Sequence, residues 1–289
     1  GGPWGFPPCA GGFGGCGGVW GGSRPLGPPH RQVLGAGAAV TAAMSTPLAI
    51  LFEDNHCLAV AKPAPLLTQG VPPGIPTLEG LVRAYIKERY HKPGNVYLGI
   101  PHRLDRPVSG VVLFARTSKA ARRLAEQFAQ RQVAKVYWAL LEAEPQPSEG
   151  VWHDWVRKHP EESRAEVVTT DDPGARQAVV EYRVLGRGPE GTLVEFRPQT
   201  GRMHQLRVQA AARGAPVRGD ALYGAREPFG PPADSPRDRV IALHARSLTF
   251  LHPIRYEPVQ VTAPLPEWWP ASVRGLAAPC AVPRRGGTA

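Results

Sequence analysis

The sequence predicts an α+β fold: one mixed, mostly antiparallel sheet with helices packed on its outer faces. Two observations carry this. Short apolar or alternating runs recur from about Leu48 to Val261, separated by clusters of Gly, Pro, Asn and Asp. Convincing helical periodicity is confined to three stretches, at Leu78–Ile86, Lys119–Gln130 and after Thr200. Three helices are too few for a regular series of parallel βαβ units. A domain over residues 47–266 is expected, with a Gly/Pro-rich tail at 1–46 and a second tail at 267–289. Such tails offer little apolar area against the entropy of ordering them.

In chain order, Leu48–Phe52 and Cys57–Ala61 read as two strands joined by the polar turn Glu53-Asp54-Asn55. Thr77 is a good N-cap for a helix whose Leu78, Leu81, Val82, Tyr85 and Ile86 share one face. His91-Lys92-Pro93-Gly94 ends it. Val96–Ile100 reads as a strand, as does Gly110–Ala115. Thr117 or Ser118 caps the next helix, with Leu124 and Phe128 on its core side. Lys135–Glu142 is apolar on both faces and reads as a covered strand. Val151–Lys158 reads as an outer strand and Gln177–Leu185 as another; Gly186–Gly191 turns the chain, and Leu193–Phe196 leads to the next motif. Thr200 and Gly201 start a helix running to about Arg213, which Gly214 ends. Residues 226–239 are charged and Pro-rich and read as a surface excursion; Ile241–Phe250 and Val259–Val261 return to strand.

The chain has 289 residues and a formal net charge of +10, enough length for a substantial core and a balance that favours an acidic partner. Cys9, Cys16, Cys57 and Cys280 show no paired spacing, which argues against a disulfide scaffold and for a reducing, cytoplasmic setting. No stretch reaches the roughly 20 apolar residues that span a bilayer. No Gly-x-Gly-x-x-Gly string leads from a strand into a helix, since Gly12–Gly17 lies in the Gly-rich tail and Gly186–Gly191 turns the chain; no Walker loop is present either, so no cofactor is expected.

Chemistry concentrates in Pro101-His102-Arg103-Leu104-Asp105-Arg106-Pro107-Val108-Ser109-Gly110, a polar loop between apolar strands. Beside Arg103 and Arg106, Asp105 is expected to stay ionised, which suits a nucleophile or an anchor better than a neutral acid. Read alone, the stretch is either such a site or a salt-bridged turn.

His-Arg-Leu-Asp followed by Ser-Gly resembles the catalytic loop of the RluA-type RNA pseudouridine synthases. Lys135-Val136-Tyr137 and Thr200-Gly201-Arg202-Met203-His204-Gln205-Leu206-Arg207 are similar to that family's later motifs, in the same order, and the resemblance runs from about Leu48 to Pro266. Val108 stands where the family often has Thr, and Arg218 where an aliphatic residue is usual. The resemblance implies a pseudouridine synthase-like fold around a central RNA cleft. It implies isomerisation of uridine in structured ribosomal or transfer RNA by a monomer needing neither metal nor protein partner. Asp105 would act as nucleophile or base, Tyr137 would stack on the flipped base, and Arg207 would pair with Asp105. Arg103 and, second to it, Arg106 would contact RNA, joined by Arg202, His204 and Lys62. Asp220, in Val217-Arg218-Gly219-Asp220, is assigned a structural role through backbone hydrogen bonds. Two other readings fit the same residues less well. A metal hydrolase using His102, Asp105, His204 and Asp220 is opposed by the flanking arginines. A non-catalytic RNA-binding protein on the same fold is opposed by the retention of Asp105, Tyr137 and Arg207.

Overall fold

The computed structural model describes residues 48–70, 75–159 and 161–276. The expected tail at 1–46 and the last part of the expected tail at 267–289 lie outside them. Among the described residues, ten strands form one sheet in the order β1-β2-β3-β9-β4-β8-β7-β5-β6, with β10 on β9. They are β1 Ala49–Glu53, β2 Cys57–Lys62, β3 Ser109–Ala115, β4 Ala134–Leu141, β5 Glu149–His159, β6 Arg164–Val168, β7 Arg176–Gly188, β8 Gly191–Pro198, β9 Leu243–Leu251 and β10 Pro258–Thr262. All pairings are antiparallel except β3 with β9, which run parallel. The α+β fold with a mostly antiparallel mixed sheet is therefore as the sequence predicts.

Helix α1, Leu78–Arg89, and helix α2, Ser118–Ala129, begin where the caps direct: Thr77 Oγ1 accepts from Gly80 N–H, and Thr117 Oγ1 from Ala120 N–H. Each side chain satisfies one of the amides a helix start leaves unpaired. Leu78, Val82 and Ile86 of α1 are buried in the main core with Leu58, Val60, Val112 and Phe114. Leu124 of α2 joins a second cluster with Leu113, Val111 and Phe250. No helix among the described residues is long and apolar enough to cross a membrane.

Four expectations fail locally. Val96–Ile100 is not a strand; only Gly99 touches β3, in a single bridge to Ala115. β2 already occupies one edge of β3 along its length, and α2 closes on Gly99, where a Cβ would lie 2.5 Å from that of Ala121. Strand β6 stands where the sequence predicts no strand, because Ala165 packs with Val156 and Ala178. Helix α3 spans only Gln205–Ala211, since His204 before it is left-handed at φ 52°. Finally, packing continues past Pro266: Trp269 is 1% exposed, and Val273, in helix α4 (Ala271–Leu276), is also buried in the core.

Candidate active site

Strand register gathers the motifs. One rung crosses the sheet from Gly110 to Ala245, Tyr137, Phe196 and Tyr182. The Asp105 loop ends at the β3 end of that rung. Tyr137 sits on β4, and the Thr200 turn follows β8, so three distant segments come to line one cavity. Two local devices make the rung possible. Gly110 has φ 120°, and a Cβ there would lie 2.2 Å from the Ala245 carbonyl oxygen, so only glycine lets β3 start against β9. A register shift between Val136 and Tyr137 bulges β4 against β9, a device that re-aims a side chain.

The loop itself is suspended from buried polar anchors. Thr68 Oγ1 donates to Leu104 O at 2.9 Å and accepts from Leu104 N–H. Lys62 is 1% exposed and its Nζ donates to Leu66 O, Pro63 O and Arg106 O, at 2.6, 3.1 and 3.2 Å. Burial pulls its pKa down to about 7. The expected contact of Lys62 with RNA phosphate is therefore corrected: its three donors hold the loop backbone from below. Arg106 is also redirected, because the turn at Pro236–Asp238 brings Asp238 to 3.1 Å from its Nη2. Arg103 is exposed beside Asp105.

Asp105 is about a third exposed and lines a cavity of roughly 130 Å³ with Tyr137, Lys135, Thr200, Arg202, His204 and Arg207. The basic side chains nearest to it come from the far motif rather than from its own loop. Arg207 Nη1 lies 3.4 Å from Asp105 Oδ2, and His204 Nε2 lies 3.6 Å from it. Arg207 is held chiefly by Asp220, whose Oδ2 accepts from Nε at 2.6 Å and whose Oδ1 accepts from Nη2 at 2.8 Å. The expected backbone role of Asp220 is thereby corrected: its carboxylate grips Arg207 in a bidentate pair that is almost fully buried. Nothing short-range in the sequence signals this, since the two residues meet only after α3 turns back.

Tyr137 is half-buried, and its phenol is pushed well up, first by burial and then by the Asp105 charge. The Thr200 turn is tied to β7: Thr200 Oγ1 accepts from Val179 N–H and donates to Gln205 Oε1, which also accepts from Arg202 N–H. That knot fixes Arg202, whose Nε donates to Gln177 O. Two grooves adjoin the cavity. One of about 810 Å³ shares Arg103, Asp105, His204 and Arg207 with it; the other, of about 540 Å³, shares Arg103, Lys135, Tyr137 and Arg202 and adds Arg131. Burial, then Arg131 and Arg176, pulls the Arg202 pKa down. Among the described residues Arg131, Arg176 and Arg202 lack a carboxylate partner, so their repulsion is uncompensated.

The four candidate metal ligands do not form a donor set. His102 Nε2 accepts from Leu113 N–H while its ring stacks on Phe128, and Asp220 is enclosed by Arg207. Asp54, Cys57 and His252 do come together elsewhere. There, His252 Nδ1 already accepts from Ile254 and Arg255 N–H, its Nε2 faces Asp54, and Arg255 occupies the same carboxylate oxygen. Burial pushes the Cys57 thiol up to about 12.

Comparison with known proteins bears on the same segments. A family model described as RNA pseudouridylate synthase matches residues 56–212. The chain is 37% identical over 219 residues to an uncharacterised RNA pseudouridine synthase of Zymomonas mobilis, covering 75% of this chain and 94% of that protein. It is 37% identical over 228 residues to the ribosomal large subunit pseudouridine synthase D of Xanthomonas campestris, covering 76% and 67%. The solved structure of human RNA pseudouridylate synthase domain containing 4 superposes with a TM-score of 0.64 at 25% identity, covering 82% of this chain and 94% of that one.

Proposed function

The chain belongs to the RNA pseudouridine synthase family, and from that premise we propose that it isomerises uridine to pseudouridine in structured ribosomal or transfer RNA, with Asp105 as the reacting carboxylate. The observation that carries this is the position of Asp105: a third exposed, in a cavity of roughly 130 Å³ between two grooves, one of them edged by Arg131 and Arg202, which among the described residues lack a carboxylate partner. At roughly 130 Å³ the cavity is below the 300–1,000 Å³ usual for a whole small ligand. It suits one base turned out of an RNA strand, with the flanking phosphates running along the grooves. Tyr137 supplies the stacking face. Arg202 and Arg103 are the phosphate and base contacts on either side.

The reaction is atom-neutral. The bond from ribose C1′ to uracil N1 breaks, the ring turns, C1′ bonds to C5, and the C5 proton is lost as N1 gains one. Asp105 serves either by attacking C1′ or by taking the 2′ proton to give a glycal. The ribosomal role named for the Xanthomonas relative makes large-subunit ribosomal RNA the first substrate to try. The proposal takes the protein as a cytoplasmic monomer acting on RNA without an obligate protein partner.

The test is Asp105→Asn, which keeps size and removes the charge. Purified wild type should convert uridine in RNA transcribed without modification, and Asp105→Asn should bind that RNA equally but react at least about a thousandfold more slowly, a loss of roughly 4 kcal/mol. Comparable pseudouridine formation by the two proteins would remove Asp105 from the chemistry. Tight RNA binding with no product from wild type would favour the non-catalytic reading.

A further inference from the structure

We propose that Tyr223 and His204 are positioning residues that set the hydrogen-bond donor facing Asp105, through a chain running Ala165 N–H to Tyr223 OH to His204 Nδ1. The proposal rests on Asp105 being the reacting carboxylate. Its geometry rests on which atoms can donate. Ala165 N–H lies 2.8 Å from the Tyr223 oxygen, and a backbone amide can only donate. The Tyr223 oxygen is thus an acceptor there, and its own proton is left for His204 Nδ1, at 2.9 Å. An imidazole that accepts at Nδ1 carries its proton on Nε2. Nε2 is the atom that faces Asp105 Oδ2, at 3.6 Å. That distance is too long for a hydrogen bond in the free protein, but catalytic contacts often tighten when substrate binds.

Three further observations converge on the same pair. His204 holds φ 52°, a left-handed conformation unusual for a residue other than glycine and often found where function demands it. The Tyr223 ring lies beneath the Arg207 guanidinium at 5.0 Å, so one tyrosine braces both groups that flank Asp105. Tyr223 also meets the His204 ring edge-on. Ala165 belongs to β6, so the β5–β6 hairpin is joined to the site through one phenol.

Asp105 and Arg103 from the loop, Arg207 from α3, and Asp220 from the turn that carries Tyr223 all bear on His204; burial comes first among the influences and the net pull on its pKa is downward. Burial likewise pushes the Tyr223 phenol up, so it keeps the proton it donates. In Tyr223→Phe the ring remains under Arg207 while the hydroxyl is lost. Nδ1 then loses a bond that only the neutral imidazole accepts, and protonation of His204 becomes easier.

Two measurements test the relay. Nitrogen-15 NMR of histidine-labelled protein should show His204 as the Nε2–H tautomer, and Tyr223→Phe should raise its pKa. An Nδ1–H tautomer, or an unmoved pKa, overturns the relay whatever the activity. In single-turnover assays Tyr223→Phe should lower the rate constant about 10- to 100-fold with RNA affinity unchanged, and move the acid limb of the profile to higher pH. His204→Gln, whose amide reaches the Nε2 position, should retain most of the rate, and His204→Asn should not. Asn tolerates the left-handed backbone better than Gln, so a reversed order would show that backbone strain matters and the donor does not. A wild type that makes no pseudouridine would sink the proposed function, and the relay would then stand or fall on the tautomer and pKa.

Discussion

Replacing Asp220 by Asn attacks the best-formed ion pair in the site. Arg207 and Asp220 are 5% and 2% exposed, with two hydrogen bonds of 2.6 and 2.8 Å. Removing one partner of a buried pair costs about 3–5 kcal/mol, because the other charge is left without compensation. Two features place Asp220→Asn at the lower end, near 3 kcal/mol: Asn keeps one acceptor, and Asp105 stands 3.4 Å from Nη1 as a substitute partner. For a domain of this size that corresponds to a fall in Tm of roughly 6–12 °C. The substitute partner has a functional consequence. Once released, the guanidinium closes on Asp105 and occupies the oxygen meant for ribose. Urea denaturation should therefore show the stability loss, and single-turnover assays well below the melting range should show a separate drop in rate constant with RNA binding retained. The double variant Arg207→Met/Asp220→Leu should regain much of the stability, as apolar replacements of buried pairs often do, and none of the rate. A loss below about 1 kcal/mol for Asp220→Asn, or normal turnover in it, would refute this account of how Arg207 is held.

Gly110→Ala should cost at least about 2 kcal/mol and depress turnover, since it places a Cβ 2.2 Å from the Ala245 oxygen at a φ that L-residues avoid; a melting temperature equal to wild type would show that β3 and β9 can separate without consequence. Acid should destabilise the protein well before its carboxylates titrate. Burial holds the His102 pKa down to about 3 and that of His244 to about 4, against about 6.5 in the unfolded chain. Between those values the unfolded state binds the extra protons, so the contribution is complete above pH 6.5 and is lost as pH falls towards 4 and then 3. The slope is up to about 1.4 kcal/mol per pH unit for each histidine. Denaturation at pH 7, 6 and 5 should reveal it, His204 adds to the slope in the same direction, His102→Gln should make the slope shallower, and a flat profile would contradict neutral burial of these rings.

Much of this molecule was legible from local pattern. Thr77 and Thr117 cap the helices they were expected to cap, and the runs at Cys57–Lys62 and Ser109–Ala115 are strands because every position in them is covered or nearly so. These features depend on neighbours a few residues away, which a sequence displays directly. The motifs around Asp105, Tyr137 and Arg207 were legible as a family resemblance, and all three line one cavity. Their partners were not legible. Arg103 and Arg106 adjoin Asp105 in the chain, yet Arg207 and His204 flank it in space. Lys62 looked like a surface cation and is instead a buried strut, because β2 ends beneath the loop it supports. The pairing of Asp220 with Arg207, and of Tyr223 with His204, carried no short-range signal. By itself the sequence determined most of the elements and the residue types at the site, since hydrophobic period, caps and motif spacing act locally. Only the tertiary structure decided which charge meets which, because ion pairs and hydrogen bonds are fixed by distances of a few ångströms between segments that strand register brings together from 100 or more residues apart, as it does for Asp105 and Arg207.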